Sequence, residues 1–445
     1  MTDSFITIAG QMELTRDDFP QLKNGDIYMD WTGAALPPEF LIRQSHQFLS
    51  RNLLGNPHSH REASSKAIDE IMETRHEILD YLNAPPSEYE VIFTMNATNA
   101  TLLLQHYKFS GGELLLTADN HNSVNGLREI ARQQGAVVRY APVNPDLSID
   151  ECMLMHKLEH PRTSGNHLFC YPAKSNYTGH LHPLEWVKKA KEHGWNVLLD
   201  AAAFLANDRL DVASVQPDFI PVSFYKIFGF PTGIGCLVIR RECYEKMYKR
   251  WFSGGSILIV SVKNDFYAPE AVGYARYEDG TVNFGLIPAV RNGLKFMKRL
   301  GNVKNNAVEC SSALYDRLKR MRSGDVTVDI HNARGNDIIC FSIRKNGNIV
   351  NPLRFEQEAI RSGVYVRTGC FCNPGINEKI FGYSVEEYEQ LYDDRLMPEQ
   401  VARLKNFAES RPLGAIRVSF GYANTLADIE KFASFTYAFL EALNG

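Results

Sequence analysis

Four polar residues stand just after predicted strands, where an α/β sheet gathers its catalytic groups. Asp200 ends the apolar run VLLD, and Lys226 follows VSFY and precedes the glycine-rich IFGFPTGIG. His121 comes shortly after LLLTA, and Asn176 follows HLFCYPA. Because open α/β sheets bind their ligands at the carboxyl ends of the strands, we expect the four side chains to meet at one edge of a sheet.

An aspartate and a lysine at successive strand ends suit a pyridoxal phosphate site. A lysine forms a Schiff base with the cofactor aldehyde, and a carboxylate keeps the pyridine nitrogen protonated, so that the ring accepts electrons from the substrate. A histidine ring can stack on the pyridine. The segment MNATNA (95–100) offers backbone N–H groups for the phosphate at a predicted helix start. These features therefore favour a pyridoxal phosphate site.

Each of these signals is weak when it stands alone. A single lysine is usually a solvated surface residue, and an aspartate after a strand is as often a turn former or helix cap. A lone histidine is more often structural than catalytic. The order and spacing of all four residues favour the cofactor site over these structural interpretations.

Strand and helix patterns alternate from about residue 88 onwards. The predicted strands are EVIFT, LLLTA, VVRYAPV, HLFCYPA, VLLDAAA and FIPVSFY. Amphipathic helices such as PLEWVKKAKEHG separate them, and an earlier apolar stripe through Ala63, Ala67 and Ile71 predicts a helix that packs on the core. This alternation predicts a mostly parallel sheet covered by helices on both faces.

After residue 285 the pattern changes. Predicted helices RNGLKFMKRL and ADIEKFASFTYAFLEAL flank the predicted strands VTVDI, DIICFSIR, VYVRTG and AIRVSFG, with a polar segment at 377–411. A chain of 445 residues suits two unequal domains. We therefore predict an α/β protein with a large domain, residues 21–285, and a smaller α+β domain, residues 286–445 together with residues 1–20.

The composition is that of an ordinary soluble protein, with 44% apolar residues, 22% charged residues and a net charge of −4. The sequence has no long basic run, so nothing indicates a nucleic-acid partner. No apolar run has the length of a membrane span. The first residues do not form a secretory signal. Eight scattered cysteines without zinc spacing predict free thiols, no metal site and a reducing, cytoplasmic setting.

Several segments resemble the fold-type I, class V aminotransferase superfamily, and within it the pyridoxal phosphate domain of molybdenum cofactor sulfurases, a cysteine desulfurase branch. The resemblance extends from YMDWTGAAL (28–36) to the C-terminus. The segments that carry it are GNPHS, DNHNSV, YPAKSNYTG, LLDAAAF, SFYKIFGFPTGIG, YEDGT, VRTGCFCNPG and GAIRVSFGYANT. The resemblance implies a pyridoxal-phosphate-dependent transferase fold and a homodimer.

The resemblance also implies roles for the four strand-end residues. It implies that Lys226 carries the cofactor and that Asp200 pairs with the pyridine nitrogen. His121 would stack on the ring and relay protons. Asn176 would contact the ring hydroxyl and the substrate.

Further cofactor and substrate contacts follow from the same resemblance. Ala97 and Thr98 would offer donors to the phosphate, and Ser223 and Tyr225 would flank the lysine. Thr281, in YEDGT, would reach the phosphate of the neighbouring subunit. In a separate segment, the resemblance makes Arg367 the clamp for the substrate carboxylate, a task suited to a bidentate guanidinium.

The sequence departs from the family pattern at several positions. Many desulfurases have glutamine three residues after the cofactor aspartate, where this chain has Ala203, as molybdenum cofactor sulfurases do. Asn96 stands where glycine is usual, and GIN (375–377) replaces a GAC motif and its third cysteine. Eukaryotic sulfurases continue into a second, cofactor-binding domain, which we expect this chain to lack.

Cys370 and Cys372 are the thiols that could act as a nucleophile. Two buried apolar thiols are the structural alternative. A disulfide between them would be strained, and a zinc site would need two further ligands. Arg367 could favour a thiolate here, and the resemblance places the catalytic thiol five residues after that arginine, at Cys372. Cys370 would be a helper or a bystander.

The implied reaction is desulfuration of L-cysteine. Lys226 would take the α-proton, Cys372 would attack the substrate sulfur, alanine would leave, and an unidentified acceptor would collect the persulfide sulfur. The alternatives are another class V reaction on the same site, namely cysteine or cystine C–S lysis, selenocysteine lysis or transamination, or a catalytically silent partner subunit. The presence of Lys226, Asp200 and His121 argues against the silent subunit.

Overall fold

The computed structural model describes residues 14–59, 62–270, 273–384, 386–387, 389 and 414–445. Residues 1–13 of the predicted small domain and most of the predicted polar segment at 377–411 lie outside the described residues. The strands of the first half are β1 Ile27–Tyr28, β2 Tyr89–Thr94, β3 Glu113–Thr117, β4 Val137–Ala141, β5 His167–Pro172, β6 Trp195–Asp200, β7 Phe219–Ser223 and β8 Gly235–Arg240.

Seven of these strands form the larger sheet, in the order β2-β8-β7-β6-β5-β3-β4. The pairings from β7 to β4 are parallel, whereas β8 runs antiparallel to β2 and β7. Strands β3, β5 and β7 are buried along their whole length, as expected for a sheet covered on both faces. The predicted α/β class with a mostly parallel sheet is confirmed. Strand β8 is an addition to the predicted set.

The helices that cover this sheet come from the same half of the chain. Their bounds are α1 Glu39–Arg51, α2 Glu62–Tyr81, α3 Ala97–Leu102, α4 Asn122–Asn125, α5 Leu127–Gln133, α6 Glu151–Glu159, α7 Glu185–Glu192, α8 Val212–Val215 and α9 Tyr225–Phe228. The sequence SVNGLREIARQQG forms two helices, α4 and α5, which are divided at Gly126. No helix among the described residues is long and apolar enough to cross a membrane.

The second half of the chain builds a smaller, antiparallel sheet with its own core. Its strands order as β11-β12-β13-β17-β16, with β14 beside β13, and β9 and β10 form a separate hairpin. The strand bounds are β9 Ile257–Ser261, β10 Phe266–Pro269, β11 Arg322–Ser323, β12 Val326–Ile330, β13 Ile338–Lys345, β14 Asn348–Ile349, β15 Val364–Tyr365, β16 Arg367–Gly369 and β17 Ala415–Ser419. The helix bounds are α10 Ile287–Leu300, α11 Val303–Leu318, α12 Pro352–Arg361, α13 Pro374–Phe381 and α14 Leu426–Asn444.

Each of the two cores contains a short segment that the sequence assigns to the other domain. Strand β1 pairs in parallel with β15, so Ile27 and Met29 lie in the core of the C-terminal unit. Helix α10, which follows the predicted boundary at residue 285, packs against α1 and α2, and Leu294 lies in the core of the larger unit. The boundaries themselves stay a prediction.

A buried ion-pair cluster joins the two units beside the carboxyl edge of the large sheet. The Lys174 ammonium, 2% exposed, lies 2.9 Å from Asp208 and 2.6 Å from Asp337, two carboxylates from opposite sides of the junction. Because removing one partner of a buried ion pair is far more destabilising than removing an exposed one, this cluster fixes the small sheet against the larger one. Strands β16 and β17 thereby lie next to the strand ends.

Candidate active site

The polar residues that follow the large-sheet strands meet in one cavity, as the sequence predicts. Asp200 is the last residue of β6, Lys226 lies in the short helix α9 after β7, His121 caps α4, and Asn176 follows β5. The cavity is lined by these and neighbouring residues: Asn96, Ala97, Thr98, Thr101, His121, Ser123, Pro172, Lys174, Asn176, Asp200, Ala202, Ala203, Ser223, Tyr225 and Lys226.

Lys226 has an unusual electrostatic setting. Burial lowers the pKa of its ammonium group below 10.5, and the nearby Asp200 carboxylate opposes that shift without cancelling it. A lowered pKa increases the fraction of neutral amine at a given pH, and the neutral amine is the nucleophilic form. This lysine is therefore suited to covalent attachment of an aldehyde and to proton transfer.

His121 is held in a fixed orientation by the turn that it begins. Its Nδ1 accepts a hydrogen bond from the Ser123 backbone N–H at 3.1 Å and lies 2.9 Å from the Ser123 hydroxyl. An acceptor at Nδ1 places the proton of the neutral ring on Nε2. Burial, and then the positive charge of Lys226, lower the pKa of His121 below 6.5. A neutral ring can stack on a cofactor, and its Nε2–H can donate a hydrogen bond or a proton.

Hydroxyl groups gather at the start of α3, where the sequence predicts the phosphate. The Ala97 backbone N–H donates to Ser223 Oγ at 2.8 Å, and Thr98 Oγ1 lies 2.7 Å from Ser123 Oγ. Asn96 caps the helix by accepting a bond from the Asn99 backbone. Three hydroxyls and a helix start are the donors that a phosphate monoester prefers.

Eight of the nine predicted cofactor residues thus line the cavity. The ninth, Thr281, is exposed and lies outside the set that lines it. Its predicted contact is with a neighbouring subunit, and that contact stays a prediction.

Cys372 lies beside the cavity on a sharply bent segment. Its backbone carbonyl accepts a hydrogen bond from the Asn122 N–H at 2.7 Å, next to the His121 turn. A Cys372 thiolate charge would raise the pKa of Lys226, because the two groups are close. Phe371 and Cys372 both have left-handed φ values, 54° and 55°. Cys372 is half-buried and Cys370 is exposed.

Asn176 connects the cavity wall to this segment. Its Nδ2 donates to the Phe371 carbonyl at 2.8 Å, and its Oδ1 accepts from Asn373 Nδ2 at 3.0 Å. Asn373 also donates to the Asp119 carbonyl at 2.8 Å. The predicted Asn176 contacts with cofactor and substrate stay predictions. Both polar atoms of its side-chain amide already form hydrogen bonds with the cysteine segment.

The two arginines of the paired strands β16 and β17 differ in burial. Arg367 in β16 and Arg417 in β17 are register partners, so their side chains leave the same face of the sheet. Arg367 is exposed and acts electrostatically on Tyr225 at the cavity. Arg417 is 3% exposed, donates to the Asn176 carbonyl at 2.8 Å, and pairs with Asp30 at 2.5 Å.

Arg417 is the main residue that the sequence reasoning missed. Its positive charge lowers the pKa of both His121 and Lys226, which places it at the site. The available signal was an arginine inside the otherwise apolar strand AIRVS, since a fully buried arginine is rare unless it is paired. The sequence reasoning also missed Lys174, because its two carboxylate partners are distant in sequence.

The donor set of the cavity fits pyridoxal phosphate. The site provides an amine for the aldehyde, a carboxylate for the ring nitrogen, an imidazole beside the ring position and hydroxyls for the phosphate. The cofactor's aldehyde, ring nitrogen, ring face and phosphate therefore each have a protein group of matching chemistry.

Curated relatives resemble nearly the whole chain. Molybdenum cofactor sulfurase from Bos taurus is 32% identical over 96% of this chain and 51% of its own length. The Homo sapiens protein of the same name is 30% identical over 95% of this chain and 50% of its own length. The chain thus spans about half the length of the curated relatives it matches.

Solved structures share the fold. The apo structure of a cysteine desulfurase from Thermococcus onnurineus NA1 superposes with a TM-score of 0.78 at 22% identity, covering 96% of this chain and 97% of that one. The cysteine desulfurase CsdA from Escherichia coli gives 0.74 at 21% identity, covering 96% and 98%. These likenesses confirm the predicted fold class.

A family model supplies the assignment. The model described as aminotransferase class-V matches residues 27–432, which include the cavity residues, Arg367, Cys372 and Arg417. The predicted superfamily and its cofactor are therefore confirmed: the chain belongs to the class-V aminotransferase family of pyridoxal-phosphate-dependent enzymes.

Proposed function

We propose that the chain is a cysteine desulfurase, which transfers the sulfur of L-cysteine to Cys372 and releases alanine. The observation that carries this proposal is the half-buried Cys372 thiol beside Lys226, on a segment hydrogen-bonded to the His121 turn. Transamination does not need a thiol at that place. The similarity to molybdenum cofactor sulfurases supports the same reaction.

Lys226, Asp200 and His121 prepare the carbon chemistry. When bound, pyridoxal phosphate supplies an electron sink for the substrate's α-carbon. Asp200 would hold the ring nitrogen protonated, and the neutral Lys226 amine would accept the α-proton. His121, neutral and with its proton on Nε2, would stack on the ring and exchange protons at that atom.

Cys372 carries out the sulfur step. Its thiolate attacks the sulfur of the substrate, so an S–S bond forms while the substrate's C–S bond breaks. The carbon skeleton regains the α-proton from Lys226, takes up a second proton at the β-carbon and leaves as alanine, and Cys372 keeps the sulfur as a persulfide. Arg367, with Arg417 beside it on the neighbouring strand, would hold the substrate carboxylate so that its sulfur faces the thiol.

The acceptor of the persulfide sulfur is a separate question. Molybdenum cofactor, a sulfur-carrier protein and a biosynthetic intermediate all have suitable chemistry. Incubation with ³⁵S-cysteine, with and without each candidate, identifies the acceptor by the labelled product. All eight cysteines are free, which accords with the predicted cytoplasmic setting; localisation stays a prediction.

A homodimer is part of the proposal. The β9–β10 hairpin exposes a row of large apolar side chains, and exposed apolar patches of this kind mark interaction surfaces. The exposed members are Leu258 58%, Ile259 62%, Val260 51%, Val262 94% and Phe266 57%. The homodimer that the family resemblance implies and this exposed hairpin together support a second copy as the partner.

Lys226 should be the residue that binds the cofactor. The holoprotein should absorb visible light, and borohydride should fix the cofactor to the peptide that contains Lys226, and not to the one with Lys174, as mass spectrometry will show. Because only the neutral amine reacts, attachment to the apoprotein should speed up with rising pH and level off below pH 10.5. A reducible adduct in Lys226→Ala would overturn the assignment.

Arg367→Ala should raise the KM for cysteine strongly, because loss of a charge-assisted bidentate contact costs about 2–5 kcal/mol. Steady-state kinetics measures this. Arg361→Ala is the matched control, since that exposed arginine pairs with Glu358 away from the cavity. An unchanged KM in Arg367→Ala, with a raised KM in Arg417→Lys, would move the clamp to Arg417.

Cys372→Ala should keep the cofactor absorption but form neither alanine nor a persulfide, because no thiol can attack the substrate sulfur. Cys370→Ala, the matched control, should retain most alanine formation. Amino-acid analysis and persulfide labelling measure both products. Native alanine release by Cys372→Ala would contradict the mechanism, and release of pyruvate would make elimination the leading account.

Light scattering should give a particle of twice the chain mass of 50.4 kDa. Leu258→Asp combined with Val262→Asp should halve that mass, because two carboxylates would be buried in an apolar contact. Ile360→Asp, at another exposed apolar side chain in α12, should leave the mass unchanged. A monomeric unmodified protein would refute the homodimer.

A further inference from the structure

We propose that Asn373 is a positioning residue that sets the place of Cys372 relative to the cofactor cavity. The inference rests on the proposed desulfurase function and adds a residue that takes no direct part in the reaction. Asn373 directly follows Cys372, is 0% exposed, and lies outside the set that lines the cavity. Its effect must therefore pass through its neighbours.

The side chain of Asn373 is fully committed to three contacts. The two hydrogens of its Nδ2 serve the Asp119 carbonyl at 2.8 Å and Asn176 Oδ1 at 3.0 Å. Its Oδ1 accepts the Ile376 N–H at 3.4 Å and so caps α13. An amide group has two N–H donors and an acceptor oxygen, so every one of these functions is in use.

These contacts tie the nucleophile to two separate parts of the cavity wall. Asp119 lies two residues before His121, in the same strand-end turn. Asn176 lines the cavity and returns a hydrogen bond from its own Nδ2 to the Phe371 carbonyl at 2.8 Å. Phe371 and Asn373, the residues on either side of Cys372, are thus both hydrogen-bonded to Asn176. Together, Asn176 and Asn373 form a closed clamp around Cys372.

The backbone of the segment explains why such a clamp is needed. Phe371 and Cys372 adopt left-handed φ values that neither side chain prefers. Such conformations persist only when surrounding contacts enforce them. Without the Asn373 bridges, the segment can relax to an extended backbone, which moves the thiol away from the place where it meets the substrate.

Asn373→Ser separates positioning from helix capping. Serine is a good N-cap residue, so the bond to Ile376 can be kept while both amide donors are lost. Asn377→Ser is the matched control, since it makes the same substitution at a 5% exposed position of the helix that Asn373 caps. Among the described residues, the Asn377 side chain bonds only to the Tyr177 hydroxyl.

The holoenzyme provides the first readout. Single-turnover alanine formation by Asn373→Ser should fall about a hundredfold, the loss expected for a nucleophile misplaced by about 1 Å. The absorbance change on adding cysteine should give an unaltered cysteine affinity, because the cavity is intact. Asn377→Ser should form alanine at the native rate.

The cofactor-free protein provides a second readout that does not depend on activity. Iodoacetamide should alkylate Cys372 faster in Asn373→Ser and in Asn176→Ala than in the unmodified protein, as mass spectrometry will measure. Because the two asparagines form one clamp, the double variant should react little faster than either single variant. Asn377→Ser should match the unmodified protein.

Three outcomes would overturn the proposal. One is native alanine formation in Asn373→Ser. Another is an equal loss in Asn373→Ser and Asn377→Ser, which would indicate general destabilisation. The third is an unchanged alkylation rate of Cys372. If Cys372→Ala still released alanine, the proposed function would fail, whereas the alkylation result would still decide whether Asn373 holds the segment.

Discussion

The hydrogen bonds that join residues 371–373 to the carboxyl edge of the large sheet decide where Cys372, the proposed nucleophile, lies. The carbonyl of Cys372 accepts the Asn122 N–H, that of Phe371 accepts from Asn176, and Asn373 donates to the Asp119 carbonyl. Strand ends leave polar backbone groups that must find partners when buried. The cysteine segment supplies these partners, so the hydrogen bonds that complete the fold at this edge also place Cys372.

Burial at that edge also shifts the protonation equilibria of the two groups that are proposed to move protons. Lys226 and His121 both have lowered pKa values, mainly because burial disfavours their charged forms, while Asp200 opposes the shift at each. Arg417 adds to the lowering at both. Arg417 therefore favours the neutral forms of Lys226 and His121, in addition to its own hydrogen bonds to Asp30 and Asn176.

The sequence predicts the large sheet and its four strand-end residues because local patterns encode them. Alternation of strand and helix reveals the parallel sheet, and a parallel sheet brings its carboxyl ends together. Arg417 carries only the local signal of an arginine inside an apolar strand. Asn373 and Lys174 carry none, since their partners are distant in sequence: Asn373 bonds to Asp119 and Asn176, and Lys174 to Asp337. Long-range polar contacts decide these roles, and only the folded chain displays them.

The left-handed backbone at Phe371 and Cys372 costs of order 1–3 kcal/mol at each position, and the structure shows what offsets it. The Phe371 ring, 5% exposed, packs edge-on against Tyr177 and lies under the Arg417 guanidinium at 4.8 Å. Burial of an aromatic ring and a cation–π contact together are of comparable size to that cost. The segment that carries Cys372 is therefore held by a balance between backbone strain and side-chain packing. Small changes in the contacts of the segment can shift that balance in either direction.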